Sequence, residues 1–392
     1  MVSLWFELSI DGFRRLNKED MTAYHIAEPA VEETLERLFY VGDRYFEMDN
    51  PPYGVTPRGD GDERLLLKKG FKRLVEELKP LGHIPRLRRI FGRPYISVMK
   101  RTPPPPQRYG RNLILLAATA GTVFVDGFIR SSNPILTQVL MPGTPAVFNA
   151  LLFALAILGV FGLHELGHKA VTLLEGVDAS MPYFIPAPPG MGGTFGAVIT
   201  QKDPPTNRDA LFDLGISGPL VGFLVTVLVT IVGLRLSFIV PVDDVVSWMA
   251  TFPEVRFQSI PLPMLIEYLA NLLRTTPEGM VMVFHPVAFA AWVGCIVTFI
   301  NLIPAWQLDG GHISRALLGK ENHKIMSLAG IVLMLLSGYF IMAVMIVFFM
   351  MRSGGESAGP LDDISPLSLS RKLFTLVYFA MVALTLVALF PF

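Results

Sequence analysis

The sequence predicts a polytopic α-helical membrane protein of about six transmembrane helices. A small soluble α+β domain precedes the helices, and a re-entrant, β-hairpin-like loop is expected among them. Three observations carry this reading. Hydrophobic residues make up 52% of the 392 positions and charged residues only 17%, against roughly a quarter charged in soluble domains. Mean hydropathy is +0.48. The apolar residues also gather after residue 111 into runs long enough to cross a bilayer, which takes about 20 residues.

The charge balance is even, with 33 basic and 33 acidic residues. No global basic field argues for nucleic acid, and no nucleic-acid partner is expected. The single cysteine, Cys295, excludes an intramolecular disulfide framework and a cysteine-based zinc cluster. A bound metal would therefore fall to histidines and carboxylates. The opening MVSLWFELSIDGFRRLNKED has no basic start followed by an apolar core, so a secretory signal is not expected there.

Taken in order, residues 1–102 mix charged and apolar positions. Strand-like pieces (LWFELSI, RYFEM, YISVMK) separate the helix-like AVEETLERLFYV and ERLLLKKGFKRLVEELKPL, whose apolar residues recur every three to four positions. Residues 103–111, opening on four prolines, read as a stiff basic linker. Spans are then expected at about 112–131, 146–174, 214–240, 286–305, 325–351 and 373–392, making 112–392 the membrane domain. One buried helix of a soluble enzyme can mimic such a run; six in one chain point to a bilayer.

Orientation follows from Lys and Arg in short loops. Lys100, Arg101, Arg108 and Arg111 precede the first span. Lys169, Lys202 and Arg208 follow the second, and Arg315, Lys320 and Lys324 follow the fourth. If six spans alternate, these lie on one side, which is expected to be cytoplasmic and to carry the N-terminal domain and the active-site opening. Arg371 and Lys372 then fall on the opposite side and dissent.

The chemistry concentrates at FGLHELGHKA, 161–170. His164 and His168 are four apart, so on a helix both rings leave the same face, one turn apart. That spacing suits one Zn2+, with Glu165 beside it as a general base. A satisfied histidine pair in a helix bundle is the plain alternative, but ionisable groups within a membrane are functional by default. A zinc hydrolase needs a third protein ligand and an open position. The fourth span ends in NLIPAWQLDGGH, 301–312, which supplies Asn301, Asp309 and His312. With one span between them, the second and fourth spans run parallel, so Asp309 is expected at the depth of the histidine pair. LDGG alone reads more simply as a turn, and His312 competes as a ligand or substrate-positioning residue.

Between the second and third spans, four prolines (Pro182, Pro186, Pro188, Pro189) stop any helix, and GGTFGAVIT reads as a glycine-bounded strand. Non-helical backbone at membrane depth is tolerated where it is buried in protein or lines a cavity. A re-entrant hairpin is expected whose edge pairs with an unwound substrate. Two other classes were weighed. A metal transporter or sensor would spread polar residues through several spans, whereas the third and fifth runs are almost purely apolar. A different membrane metalloprotease class shares H-E-x-x-H but takes a downstream glutamate as its third ligand; no suitable glutamate follows a later span.

HELGH, GTFGAVI and NLIPAWQLDGGH, in this order and on these spans, resemble the site-2 protease family of intramembrane zinc metalloproteases. The stretch HPVAFAAWVGCIVTFINLIPAWQLDGGH is similar to the branch found in archaea, cyanobacteria and chloroplasts. The resemblance covers roughly residues 65–330. It implies one catalytic zinc held by His164, His168 and Asp309, Glu165 as catalytic base, and transmembrane protein substrates. It also implies that Asn301 and the strand around Gly193, Thr194, Phe195 and Gly196 help to position substrate. Residues 241–283 are too short for the regulatory PDZ domain of some relatives.

Overall fold

Asp62 starts helix α2 (Glu63–Leu78) by accepting from the backbone amide of Arg64. Leu67, Phe71, Leu74 and Leu78 then fall on one buried face. That face packs on α1 (Pro29–Leu38) and on an antiparallel sheet of β1 (Phe39–Arg44), β2 (Tyr53–Pro57), β3 (His83–Ile90) and β4 (Arg93–Lys100). The strand order is β1-β2-β4-β3, which leaves β3 at an edge. In this computed structural model the described residues are 29–44, 52–102, 107, 109–190, 192–255, 257–353 and 359–387. The expected strand LWFELSI, most of RYFEM, the linker prolines and the last five residues of the sixth expected span lie outside them.

Three long apolar helices follow: α3 (Tyr109–Ser131), α4 (Ala146–Leu174) and α5 (Arg208–Leu236), each long and apolar enough to cross a membrane. The third run starts earlier than expected and stops earlier, because Asn207 caps α5 through the amide of Ala210 and the chain turns into strand β7 (Phe238–Pro241) after Ser237. Beyond β7 come α6 (Val242–Thr251), α7 (Met264–Leu273) and β8 (Met280–Val283), which pairs back on β7. Helix α8 (Pro286–Leu302) is apolar but only 17 residues long. His285 caps it through the amide of Val287 and meets Asn149, near the start of α4, at 3.2 Å. Helices α4 and α8 therefore begin at the same end of the bundle and run parallel.

The fifth expected span, 325–351, is divided. Helix α9 (Asp309–Leu336) begins sixteen residues earlier and is broken at Gly319, where φ is 81°. Helix α10 (Phe340–Arg352) follows after a reversal at 337–339. The reversal is a left-handed glycine cap: Gly338 has φ 87°, its amide donates to Leu335, and the amide of Tyr339 donates to Met334. Ser327 on α9 accepts from the amide of Trp306, Tyr339 meets Phe299, and Phe349 on α10 stacks on Trp306 again. The chain thus descends from the level of Trp306 to that of Phe299 and climbs back. One long apolar run is folded into a helical hairpin that enters and leaves at the same end.

The consequence is visible next. Residues 360–366 form a strap between the sheet and the bundle. Leu361 is part of the sheet's own core and accepts from the amide of Leu87 on β3, while its amide donates to Pro205. Asp362 donates to Thr206 in the same way. Helix α11 (Leu369–Thr385) then starts with Arg371 on Asp209 and Asp213 at the head of α5. Arg371 and Lys372 therefore lie at the same end of the bundle as the sheet, not at the opposite end as six alternating spans required.

The expected hairpin is present, formed by β5 (Tyr183–Pro186) and β6 (Thr194–Val198) in antiparallel register. It lies along α3. Asn112 donates to the carbonyls of Met181 and Pro182 at one end, and Thr122 donates to Gly193 further along. Asp126, the residue that interrupted the first apolar run, is buried there and accepts from the amide of Gly190 and from Arg130. Irregular backbone deep in the bundle is thereby paired with protein.

Candidate metal centre

Helix α4 places His164, Glu165 and His168 on buried positions of its last third. The Nε2 atoms of His164 and His168 lie 3.2 Å apart. Asp309 is the first residue of α9, and its two carboxylate oxygens reach His164 Nε2 and His168 Nε2 at 3.3 Å each. These donors all lie within 4.8 Å of one another. His168 Nδ1 donates to the carbonyl of Leu214 at 2.9 Å, which leaves Nε2 as the lone-pair nitrogen facing the cluster. Lone pairs converging in a buried pocket repel one another unless a cation lies between them. The donor set of two imidazoles and a carboxylate fits zinc.

LDGG starts a helix rather than closing one. Any Cβ on Gly310 would fall 2.0 Å from the carbonyl oxygen of Leu302, and one on Gly311 2.3 Å from that of Trp306. The two glycines let the first turn of α9 fold back on the end of α8, which carries Asp309 to the histidines. A carboxylate at that position also suits the helix dipole.

Glu165 is buried beside the ligand cluster. The backbone amide of Ile199, just after β6, faces its carboxylate, while Oε2 is buried with no partner among the described residues. Asn301, near the end of α8, brings its amide nitrogen to 3.4 Å from His164 Nε2. His312 is buried one turn along α9 from Asp309, outside the three-donor set.

Of the strand residues, Gly193 and Thr194 serve the hairpin itself. A Cβ on Gly193 would fall 2.4 Å from the backbone of Val123. Thr194 bridges the carbonyl of Ile185 and the amide of Gly196. Gly196 has φ 102° at the register shift, and Phe195 is half-buried on the strand between them. His323 is buried in α9 between Ser314 and Ser327, where it ties the helix together across its break.

The sequence reading passed over the glycines of α5. Gly215, Gly218 and Gly222 form one face against the site. A Cβ on Gly218 would fall 2.1 Å from His168 Nε2, and one on Gly222 3.0 Å from His164 Nδ1. The spacing in LGISGPLVG was a legible signal of a close helix approach.

A buried two-histidine, one-carboxylate cluster with a neighbouring glutamate, on long apolar helices, has the donor set of a metallopeptidase-type zinc centre. Comparison with known proteins agrees. The family model described as Peptidase family M50 matches residues 152–345. The chain is 32% identical over 221 residues to Probable zinc metalloprotease EGY2, chloroplastic, of Arabidopsis thaliana, covering 55% of this chain and 36% of that one. It is 30% identical over 264 residues to Probable zinc metalloprotease EGY1, chloroplastic, of the same plant, covering 63% and 47%. The EGY2 protein of Oryza sativa subsp. indica is 29% identical over 261 residues, covering 64% and 44%. The matches thus span less than half the length of these curated relatives. No solved structure matches. Over residues 152–345, just under half of its length, the chain resembles peptidase family M50, the site-2 protease family.

Proposed function

We propose that the protein is an intramembrane zinc endopeptidase that hydrolyses a peptide bond within or near a transmembrane helix of a membrane-protein substrate. The observation that carries this reading is the convergence of His164, His168 and Asp309 beside a buried Glu165 whose Oε2 has no partner among the described residues. His164, His168 and Asp309 are the ligands of one zinc ion. When bound, zinc supplies Lewis acidity toward the scissile carbonyl and brings the pKa of its water toward about 7.

Glu165 takes the proton of the attacking water and returns it to the leaving amine nitrogen. The amide of Asn301, beside His164, donates to the oxygen on which charge develops or to the adjacent substrate backbone. Among the described residues β6 pairs only with β5. Its second edge is the place where an extended substrate adds as a strand, next to the Ile199 amide and Glu165. Helical peptide bonds are shielded by their own turns, so the substrate must extend before it is cut.

In the bilayer, α3, α4, α5, α8 and α11 cross, while α9 and α10 enter and return. The sheet, the strap and the site opening share the cytoplasmic side, and Arg371 and Lys372 now join the other basic flanks there. Glu165→Gln should retain zinc, measured by elemental analysis, and lower cleavage of a model transmembrane substrate by about 100- to 10,000-fold. Zinc-loaded Glu165→Gln with normal turnover would overturn the assignment. A transporter reading has no use for Glu165 beside the ligands, and zinc uptake into vesicles without cleavage would favour it.

A further inference from the structure

A cleft of about 380 Å3 opens where the sheet, the strap and the head of α5 meet, far along the chain from the metal centre. It is lined by Arg64, Arg89, Arg208, Asp363 and Ser365 above Leu67. The one carboxylate is already committed: Asp363 receives both guanidinium nitrogens of Arg315, at 2.9 and 2.5 Å. Arg208 reaches Asp363 only at 3.7 Å, and its Nε is buried without a hydrogen-bond partner among the described residues. Neither Arg64 nor Arg89 forms an ion pair with another described residue. Among the described residues, positive charge at the cleft therefore exceeds the carboxylate charge paired with it.

Ser365 lines the cleft and is 3% exposed; its amide donates to the Asp362 carboxylate, and its hydroxyl faces the same group. Three guanidinium forks around a single cleft match the oxygens of a phosphate group.

We propose that this cleft binds a phosphate-bearing anion, held by Arg64, Arg89 and Arg208. The phosphate belongs either to a lipid headgroup or to a soluble phosphate compound, since the cleft lies at the bundle end beside the first turn of α5. Its occupant joins α2 and β3 of the sheet domain to the strap and to α5.

The test uses the full-length protein. Inorganic phosphate is titrated into detergent-solubilised protein by calorimetry at constant ionic strength. In parallel, melting is followed in nanodiscs of phosphatidylcholine with and without phosphatidic acid. Wild type should bind phosphate, or gain stability with phosphatidic acid, and Arg64→Ala/Arg89→Ala should weaken that response by about tenfold or more. Lys69→Ala/Lys324→Ala, which removes two exposed charges outside the cleft, should leave it unchanged. Binding of free phosphate assigns a soluble source, and a response to phosphatidic acid alone assigns the headgroup. No response to either probe, or equal responses in wild type and the Arg64/Arg89 variant, would overturn the proposal.

Discussion

Gly218 shows how much of a metal centre is decided by a missing atom. His168 Nε2 occupies the space where a β-carbon would stand, 2.1 Å away. Gly218→Ala should therefore push the imidazole off its Leu214 hydrogen bond and weaken zinc binding by at least about tenfold. The matched control is Gly159→Ala on α4, whose added carbon meets only Val225 at 3.9 Å. Competition with a chromogenic chelator measures both, and equal affinities would show that the close approach is not needed. The residues offering lone pairs were legible in the sequence because His164, Glu165, His168 and Asp309 are chemically loud types at helical spacing. Gly218 is silent as a type, and only the spacing of Gly215, Gly218 and Gly222 betrays the packed face.

At the scale of elements, the hairpin depends on α3. Asp126 is a costly group in an apolar helix, and it is used up entirely on Arg130 and the amide of Gly190. Asp126→Ala should leave the helix in place but release the hairpin tip, at a cost of about 1–3 kcal/mol for the unpaired groups. Faster amide exchange at Gly190 and Gly192, with unchanged exchange in α4, is the expected signature. An unchanged pattern would mean that the tip is held by other contacts. The same scale explains one failure of the sequence reading. SLAGIVLMLLSGYFIMAVMIVFFMM is apolar on both sides of Ser337–Gly338, and hydropathy alone cannot distinguish one crossing from a hairpin of two shorter helices. The Ser-Gly pair was the available sign. It is a weak sign, because apolar length is the stronger average signal and glycine is common in membrane helices.

For the whole molecule, the α9–α10 reversal fixes which end of the bundle each loop occupies. The sheet, the strap and the head of α11 share one end. Ser370 and Arg93 are both exposed, and the native Cys295 is buried. Ser370→Cys and Arg93→Cys should accordingly react with a membrane-impermeant maleimide from the same face of sealed vesicles. Labelling from opposite faces would restore six alternating spans. The N-terminal helix-and-sheet region was legible from the switch in charge and periodicity near residue 102. Its partnership with residues 360–366 was not, because nothing in a local pattern announces that Leu361 completes a core built almost 300 residues earlier in the chain.

That borrowed leucine changes how the molecule can be taken apart. A cut in the proline linker would give two fragments that are chemically separate and structurally incomplete. The sheet fragment would leave a hole where Leu361 stood and an unmet amide at Leu87, and the bundle fragment would carry the missing side chain on its surface. Each piece holds the plug for the other's gap. The two behave as complementary halves of one object rather than as exchangeable modules, and grafting either onto an unrelated partner would mean moving the strap along with it.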